Sequence, residues 1–249
     1  MGVRNKIALV TGASSGIGEA AALALAADGA SVAVSGRRKE RLESLVKRIE
    51  EAGGKGLALP GDVSVEADAT KAIEDAVAHF GGLDILINSA GVNEAGGIES
   101  LSLDLWRKVI DINLMGTLYC CKAAVPALKA RGGGDIINIS STAGRRAAAA
   151  FAAYATSKFG LTGLTESLRQ EVGGAGIRVC IIEPGATQTE IAESITDLKA
   201  RAAIQAHVSK EGAMAASDIA DAIMFVLNLP PRANVSQMLV RPTIDTAAM

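Results

Sequence analysis

Short runs of aliphatic and β-branched residues alternate along the chain with longer stretches whose apolar positions recur at helical spacing. The runs fall at residues 7–10, 31–35, 56–60, 83–88, 135–140, 178–183 and 238–240, so seven strands are expected. Several of them, such as ILIN, IINI and VCII, are continuously apolar rather than alternating. Strands of that kind are buried on both faces, which places helices on both sides of a parallel sheet. Helical patterns fill the intervals: 17–27 stopped by Gly29, 39–52 stopped by Gly53-Gly54, and 64–80 stopped by Gly81-Gly82. The pattern predicts an α/β fold, a three-layer αβα sandwich on a seven-stranded parallel sheet with right-handed crossovers.

Two intervals break the rhythm. Residues 145–155 are alanine-dense, and residues 185–213 form the longest interval between core strands without a clear strand of their own. Long connections at the carboxyl ends of parallel strands are where such sheets bind ligands. Both stretches are therefore candidate substrate walls, with 185–213 either a lid or a surface helix. The 249 residues are otherwise expected to form one domain, residues 1–249, long enough for a large core without a disulfide or metal staple.

Composition narrows the function classes. With 49% hydrophobic and 21% charged residues the chain is a folding one. The formal charge of −2, from 25 Lys+Arg against 27 Asp+Glu, offers no footprint for a nucleic acid or an acidic membrane face. No apolar stretch approaches the roughly 18 residues a membrane span requires, and the opening MGVRNKIALVTG lacks a signal-peptide pattern. Cys120, Cys121 and Cys180 read as small apolar core residues in a reducing compartment, because the adjacent pair cannot readily close on itself. A cytoplasmic location is expected. His79 and His207 belong to no Cys/His/carboxylate spacing that holds zinc, so no metal is expected.

The first candidate chemistry follows the first strand, where Gly12, Ser14, Ser15, Gly16, Ile17 and Gly18 lead into a helical pattern. Glycines there let backbone N–H groups approach a pyrophosphate, and the helix N-terminus adds partial positive charge. No Lys-Ser/Thr pair follows, which disfavours an NTPase phosphate loop. At the end of the second strand a dinucleotide fold preferring NAD places an acidic residue; this chain has Arg37 and Arg38. Two guanidiniums can grip a 2′-phosphate, so NADP(H) is the cofactor expected, unless they only solvate the next helix. Asp62 can accept from an adenine amino group while Val63 packs against the ring, or Asp62 or Ser64 can cap the following helix. Asn88, Ala90 and Gly91 make a small-residue turn that lets the backbone lie beside a cofactor ribose.

The second is Tyr154 and Lys158, at i and i+4 on one face of a helix in a chain with only two tyrosines. A phenol with a pKa of about 10 is a poor base at neutral pH, but a neighbouring ammonium and an oxidised nicotinamide both favour phenolate. Ser141, at the end of the fifth strand, can hold a substrate oxygen, and Asn113 can anchor a water relay from the lysine.

Taken in order, TGASSGIG, NSAG, Asn113, Ser141, YxxxK and Pro184-Gly185 resemble the short-chain dehydrogenase/reductase family across nearly the whole chain. The resemblance implies a Rossmann fold and hydride transfer between nicotinamide C4 and a carbinol or carbonyl carbon of a small alcohol, ketone or aldehyde. It implies Tyr154 as acid/base, Lys158 as its tuner and ribose ligand, Ser141 as oxyanion partner and Asn113 as relay anchor. It also places Pro184, Gly185 and Thr187 along the nicotinamide, with Ile182 packing nearby, and implies homodimers or homotetramers built on apolar helices such as 114–128. Ser89 departs from the family's usual second Asn, and Val240-Arg241-Pro242-Thr243 replaces a common Gly-Gly turn. That ending, with Arg37-Arg38, resembles the NADP-dependent 3-hydroxy acid/serine dehydrogenases and clavaldehyde (clavulanic acid) dehydrogenase. The alternatives are a β-ketoacyl carrier-protein reductase and a non-catalytic NADPH-sensing regulatory protein.

Overall fold

A computed structural model describes residues 2–209 and 212–246. Seven parallel strands form one sheet: β1 (Ile7–Thr11), β2 (Ser31–Gly36), β3 (Lys55–Pro60), β4 (Ile85–Asn88), β5 (Gly134–Ile139), β6 (Ile177–Pro184) and β7 (Gln237–Val240). Their spatial order is β3-β2-β1-β4-β5-β6-β7. Eight α-helices accompany them among the described residues: α1 (Gly16–Ala27), α2 (Lys39–Glu51), α3 (Glu66–Phe80), α4 (Leu103–Ile110), α5 (Gly116–Ala130), α6 (Ala152–Val172), α7 (Leu198–Val208) and α8 (Ala216–Leu227). This is the Rossmann fold, a single α/β domain with a seven-stranded parallel sheet between two helical layers.

The continuously apolar strands are explained by two cores. On one face Val10, Val34, Ile85 and Ile87 pack with Leu25 of α1, Leu42 and Ile49 of α2, and Ile219 and Ile223 of α8. On the other, Leu9, Ala33, Leu86, Ile136 and Val179 pack with Ile73 of α3, Val109 of α4, and Cys120 and Leu128 of α5. Neighbouring residues of one strand thus feed opposite cores, and both must be apolar.

Element ends differ from the pattern by a few residues, for identifiable reasons. The fourth strand begins at Ile85 rather than at 83, because Asp84 turns inward and accepts a hydrogen bond from the Ile7 amide at 2.8 Å. Helix α3 begins at Glu66 rather than at 64: the amide and hydroxyl of Ser64 are committed to Asp62 Oδ1 at 3.0 and 2.7 Å. The interval 185–213 contains a 3-10 turn, Glu190–Ser194, and α7; residues 210 and 211 of it lie outside the described residues. A π-helical turn, Asp111–Met115, joins α4 to α5 and has no signature in the apolar periodicity. On α5 the stripe Gly116, Cys120, Ala124 and Leu128 is buried while the opposite side is partly open, so this helix is not wholly covered.

The strand order reverses between β1 and β4, whose successors lead away in opposite directions. A crevice opens outside the carboxyl ends at such a switch point.

Candidate active site

The crevice is a cleft of about 570 Å³ running along the carboxyl ends of the strands. Its floor is the turn after β1. Gly12 sits at φ +65, and a Cβ there would come within 2.6 Å of the Ala90 backbone, so the turns after β1 and β4 touch only because this residue is glycine. The amides of Ser89 and Ala90 donate to Thr11 Oγ1 at 3.2 and 3.3 Å, fixing the same contact. Ser15 precedes α1 in extended conformation with no side-chain cap, and Gly16 and Ile17 of its first turn line the cleft. Uncapped first-turn amides, a glycine cradle and the helix dipole suit an anionic diphosphate.

At the β2 end, Arg38 lies against this turn. Its Nε and one terminal nitrogen donate to Ser14 Oγ at 3.0 and 2.9 Å, and the latter also reaches Ser15 Oγ at 2.7 Å. Its other terminal nitrogen donates to Glu190 at 2.7 Å. Arg37 is more exposed and lies 4.0 Å from Asp62 Oδ2. Asp62 spends its other oxygen on the turn before α3, whose N-cap is Val65, and still lines the cleft together with Val63. Positive charge and hydroxyl donors beside a glycine turn fit a dinucleotide with a further phosphate on its adenosine ribose.

At the other end, α6 presents Tyr154 and Lys158 to the cleft, and Ser141 follows β5 as the cap of a 3-10 turn, Thr142–Gly144. The Ser141 hydroxyl accepts from the Ala143 amide at 3.1 Å and bonds the Tyr154 phenol. Burial pushes the phenol above its ordinary pKa, and the bond to Ser141 opposes that shift. Lys158 is 3% exposed; its Nζ donates to the Ile139 carbonyl at 3.0 Å and lies 5.6 Å from the centroid of the Tyr154 ring. Desolvation lowers its pKa to about 8. The expected depression of the phenol by this ammonium is not what dominates here, because the lysine's own charge is directed at a carbonyl and burial acts on both groups.

Asn113 occupies the π-helical turn, behind the cleft wall rather than on it. Its amide exchanges hydrogen bonds with Val92 (2.8 and 2.9 Å) and donates to Ser157 Oγ at 3.0 Å, while Ser157 donates to the Tyr154 carbonyl at 2.7 Å. It ties the turn after β4 to the helix carrying the tyrosine. A Cβ on Gly91 would sit 3.6 Å from Asn113 Oδ1 and 3.8 Å from Lys158 Nζ, so lysine and asparagine meet at that glycine.

Pro184, Gly185 and Thr187 line the cleft, and Pro242 closes on Gly185 so tightly that a Cβ would lie 2.9 Å from its ring. Gly18 and Asn88 do not line it. Gly18 lets α1 pack on the Gly12 carbonyl, and Asn88 is buried, donating to Asn138 Oδ1 at 2.9 Å. Ile182 is fully buried in the core. Arg145 is engaged with Glu183 and Gln237, and neither it nor Arg146 lines the cleft. Among the described residues no cluster of three or more His, Cys, Asp or Glu is placed to hold a metal, and no helix is long and apolar enough to cross a membrane.

Sequence reasoning missed Glu190 and Asn93. Asn93 is buried and lines the cleft, and its Oδ1 has no hydrogen-bond partner. Neither residue belongs to a spacing motif; each matters through a contact made about 100 positions or more away.

The profile of the short chain dehydrogenase family matches residues 6–200. An uncharacterized oxidoreductase of Staphylococcus aureus is 35% identical over 240 residues, covering 96% of this chain and 97% of its own. Among solved structures, a short chain dehydrogenase from Burkholderia cenocepacia in complex with NADP is 32% identical, with TM-score 0.86 and coverage of 97% and 98%. An alcohol dehydrogenase from the archaeon Thermococcus sibiricus, complexed with 5-hydroxy-NADP, superposes with TM-score 0.88 at 27% identity, covering 99% of this chain and all of that one. With the fold and the family profile in agreement over most of its length, the chain belongs to the short-chain dehydrogenase family of oxidoreductases.

Proposed function

We propose that the protein is an NADP(H)-dependent alcohol dehydrogenase/carbonyl reductase acting on a small primary or secondary alcohol and its aldehyde or ketone. The reading is carried by one observation: Tyr154, Lys158 and Ser141 share one end of a cleft whose other end holds Arg38 against Ser14 and Ser15. The nicotinamide dinucleotide, when bound, supplies the hydride acceptor or donor. Gly12, Ser14, Ser15, Gly16 and Ile17 would hold its diphosphate, Arg37 and Arg38 the 2′-phosphate, Asp62 and Val63 the adenine, and Ala90, Gly91 and Lys158 a ribose, with Pro184, Gly185 and Thr187 available to the nicotinamide. Tyr154 gives a proton to the carbonyl oxygen in reduction and removes it in oxidation, and Ser141 steadies that oxygen. Asn113 positions Tyr154 through Ser157 and holds the turn that borders Lys158.

The described part of the 185–213 interval forms the substrate wall. Ile204, His207 and Val208 of α7 line the cleft, and the fully buried Glu94 pins the base of this segment by accepting from the Thr196 amide and hydroxyl at 2.8 and 3.1 Å. Three buried free cysteines support a cytoplasmic setting, and exposed Leu103 of α4 and Phe159 of α6 support a homodimer or homotetramer. The two NADP-complexed relatives support the cofactor. A paired NADPH/NADH screen over aldehydes, ketones, β-keto esters and hydroxy acids tests class and cofactor together. Turnover with NADPH that Tyr154→Phe abolishes is the expected result; NADPH binding without turnover of any carbonyl would return the protein to a sensing role.

A further inference from the structure

Glu190 opens the 3-10 turn that follows β6, yet its carboxylate reaches the far side of the cleft. It accepts from Arg38 at 2.7 Å and from Arg41 at 2.8 and 2.7 Å, using both oxygens. Four hydrogen bonds thus engage the Arg38 guanidinium, three to the two serine hydroxyls and one, from its other terminal nitrogen, to the Glu190 carboxylate. The two arginines hold the Glu190 carboxyl below the usual carboxylate range, so it is charged at neutral pH. A carboxylate and a phosphate monoester are both anionic acceptors for a guanidinium, and a phosphate brought to Arg38 would stand beside the Glu190 carboxylate, where the two negative charges repel.

Resting on the dinucleotide reading above, we propose that Glu190 is a specificity-determining residue: an internal anion that occupies Arg38 in the free protein and competes with the 2′-phosphate of NADP(H). NADH, which carries no phosphate there, leaves the pair intact. Glu190 therefore narrows the preference for NADPH over NADH that Arg38 alone would give. Arg41 is the residue that keeps the displaced carboxylate, because it holds both Glu190 oxygens without lining the cleft.

The test is direct binding of NADPH and NADH to the whole protein, by nucleotide fluorescence, with Glu190→Gln in place of wild type. Glutamine keeps the size of the side chain and removes the charge. The dissociation constant for NADPH is expected to fall by about three- to tenfold, with NADH changed less than about twofold. In the Arg38→Ala background the same substitution should shift NADPH by less than about twofold, since the contested guanidinium is gone. Equal changes for both nucleotides in Glu190→Gln, or weaker NADPH binding, would overturn the inference and leave Glu190 a strap across the cleft. Wild-type protein that binds neither nucleotide would instead overturn the functional reading, and the inference with it.

Discussion

At the amino-terminal edge of the sheet, Asp84 is 3% exposed and accepts from the Ile7 amide at 2.8 Å and from Arg131 at 3.2 and 3.4 Å, with Lys6 3.6 Å away. Nearby, Arg178 donates to Asp135 at 2.6 Å and to the carbonyls of Leu227 and Leu229 at 3.2 and 2.9 Å. At the carboxyl-terminal edge, Lys158 is equally buried but bonds a single neutral carbonyl among the described residues, and the buried Ser140 Oγ and Asn93 Oδ1 have no partner. Buried polar groups that hold a fold together are satisfied by the fold itself. Under the proposed function, those left under-satisfied in the cleft are available to a cofactor or substrate. The two edges should therefore respond to mutation in opposite currencies, stability at one and chemistry at the other.

The largest expected effect is at the carboxyl edge. Under the proposed function Tyr154→Phe removes the group that exchanges a proton with the substrate oxygen, and turnover should drop by about 10²–10⁴-fold. NADPH affinity should stay within a few-fold and the unfolding midpoint near that of wild type. Asp84→Ala is the counterpart at the amino edge. It strands a buried backbone N–H and frees two cations, so urea unfolding should show a loss of about 2–4 kcal/mol. Turnover per folded molecule should be unchanged; a loss of chemistry without a loss of stability would break the comparison.

The amino edge also shows why the sequence was legible only in part. The central strands announce themselves because each buries two faces, and Leu9 or Ile137 has to be apolar whichever core it meets, while the edge strands β3 and β7 are only partly buried. The apolar run 83–88 places Asp84 second in a strand, because nothing in a local pattern tells that a carboxylate will bond a backbone amide 77 residues earlier. At the cleft, glycine turns and the Tyr/Lys spacing are local and were legible. The π-helical turn around Asn113 depends on how α4 and α5 meet, and Glu190 depends on a reach of 152 residues to Arg38. Such contacts follow from the topology, which no window of sequence contains.

A smaller effect probes the adenosine end of the cleft. Replacing Arg37 and Arg38 by Ala removes two guanidiniums, one of which makes three serine hydrogen bonds and an ion pair. NADPH binding should weaken by about 10–100-fold and NADH binding by a few-fold at most. Titration of both nucleotides checks this, and equal weakening would mean that these arginines do not read the 2′-phosphate.

The smallest effect separates the two currencies on a single side chain. Burial holds Lys158 at about 8 in the folded protein, against about 10.4 in an unfolded chain. Between those values the unfolded chain binds more protons at this site, so the cost of burying the lysine is full below pH 8 and disappears as pH rises toward 10.4. Lys158→Met, which never carries that charge, should be more stable than wild type at pH 7, and its advantage should shrink steadily above pH 8. The buried thiols, whose ionisation burial also suppresses, titrate alike in both proteins and cancel in the difference. Activity should run the other way. If the ammonium is what holds the cofactor ribose, kcat/KM for reduction falls by up to about tenfold per pH unit above 8, while the stability deficit of wild type closes. Urea midpoints of both proteins and the wild-type rate profile, taken from pH 7 to 10, check the pair of trends. Parallel decline of activity and relative stability would mean that the charge on Lys158 serves the fold, as the charges of the amino edge do.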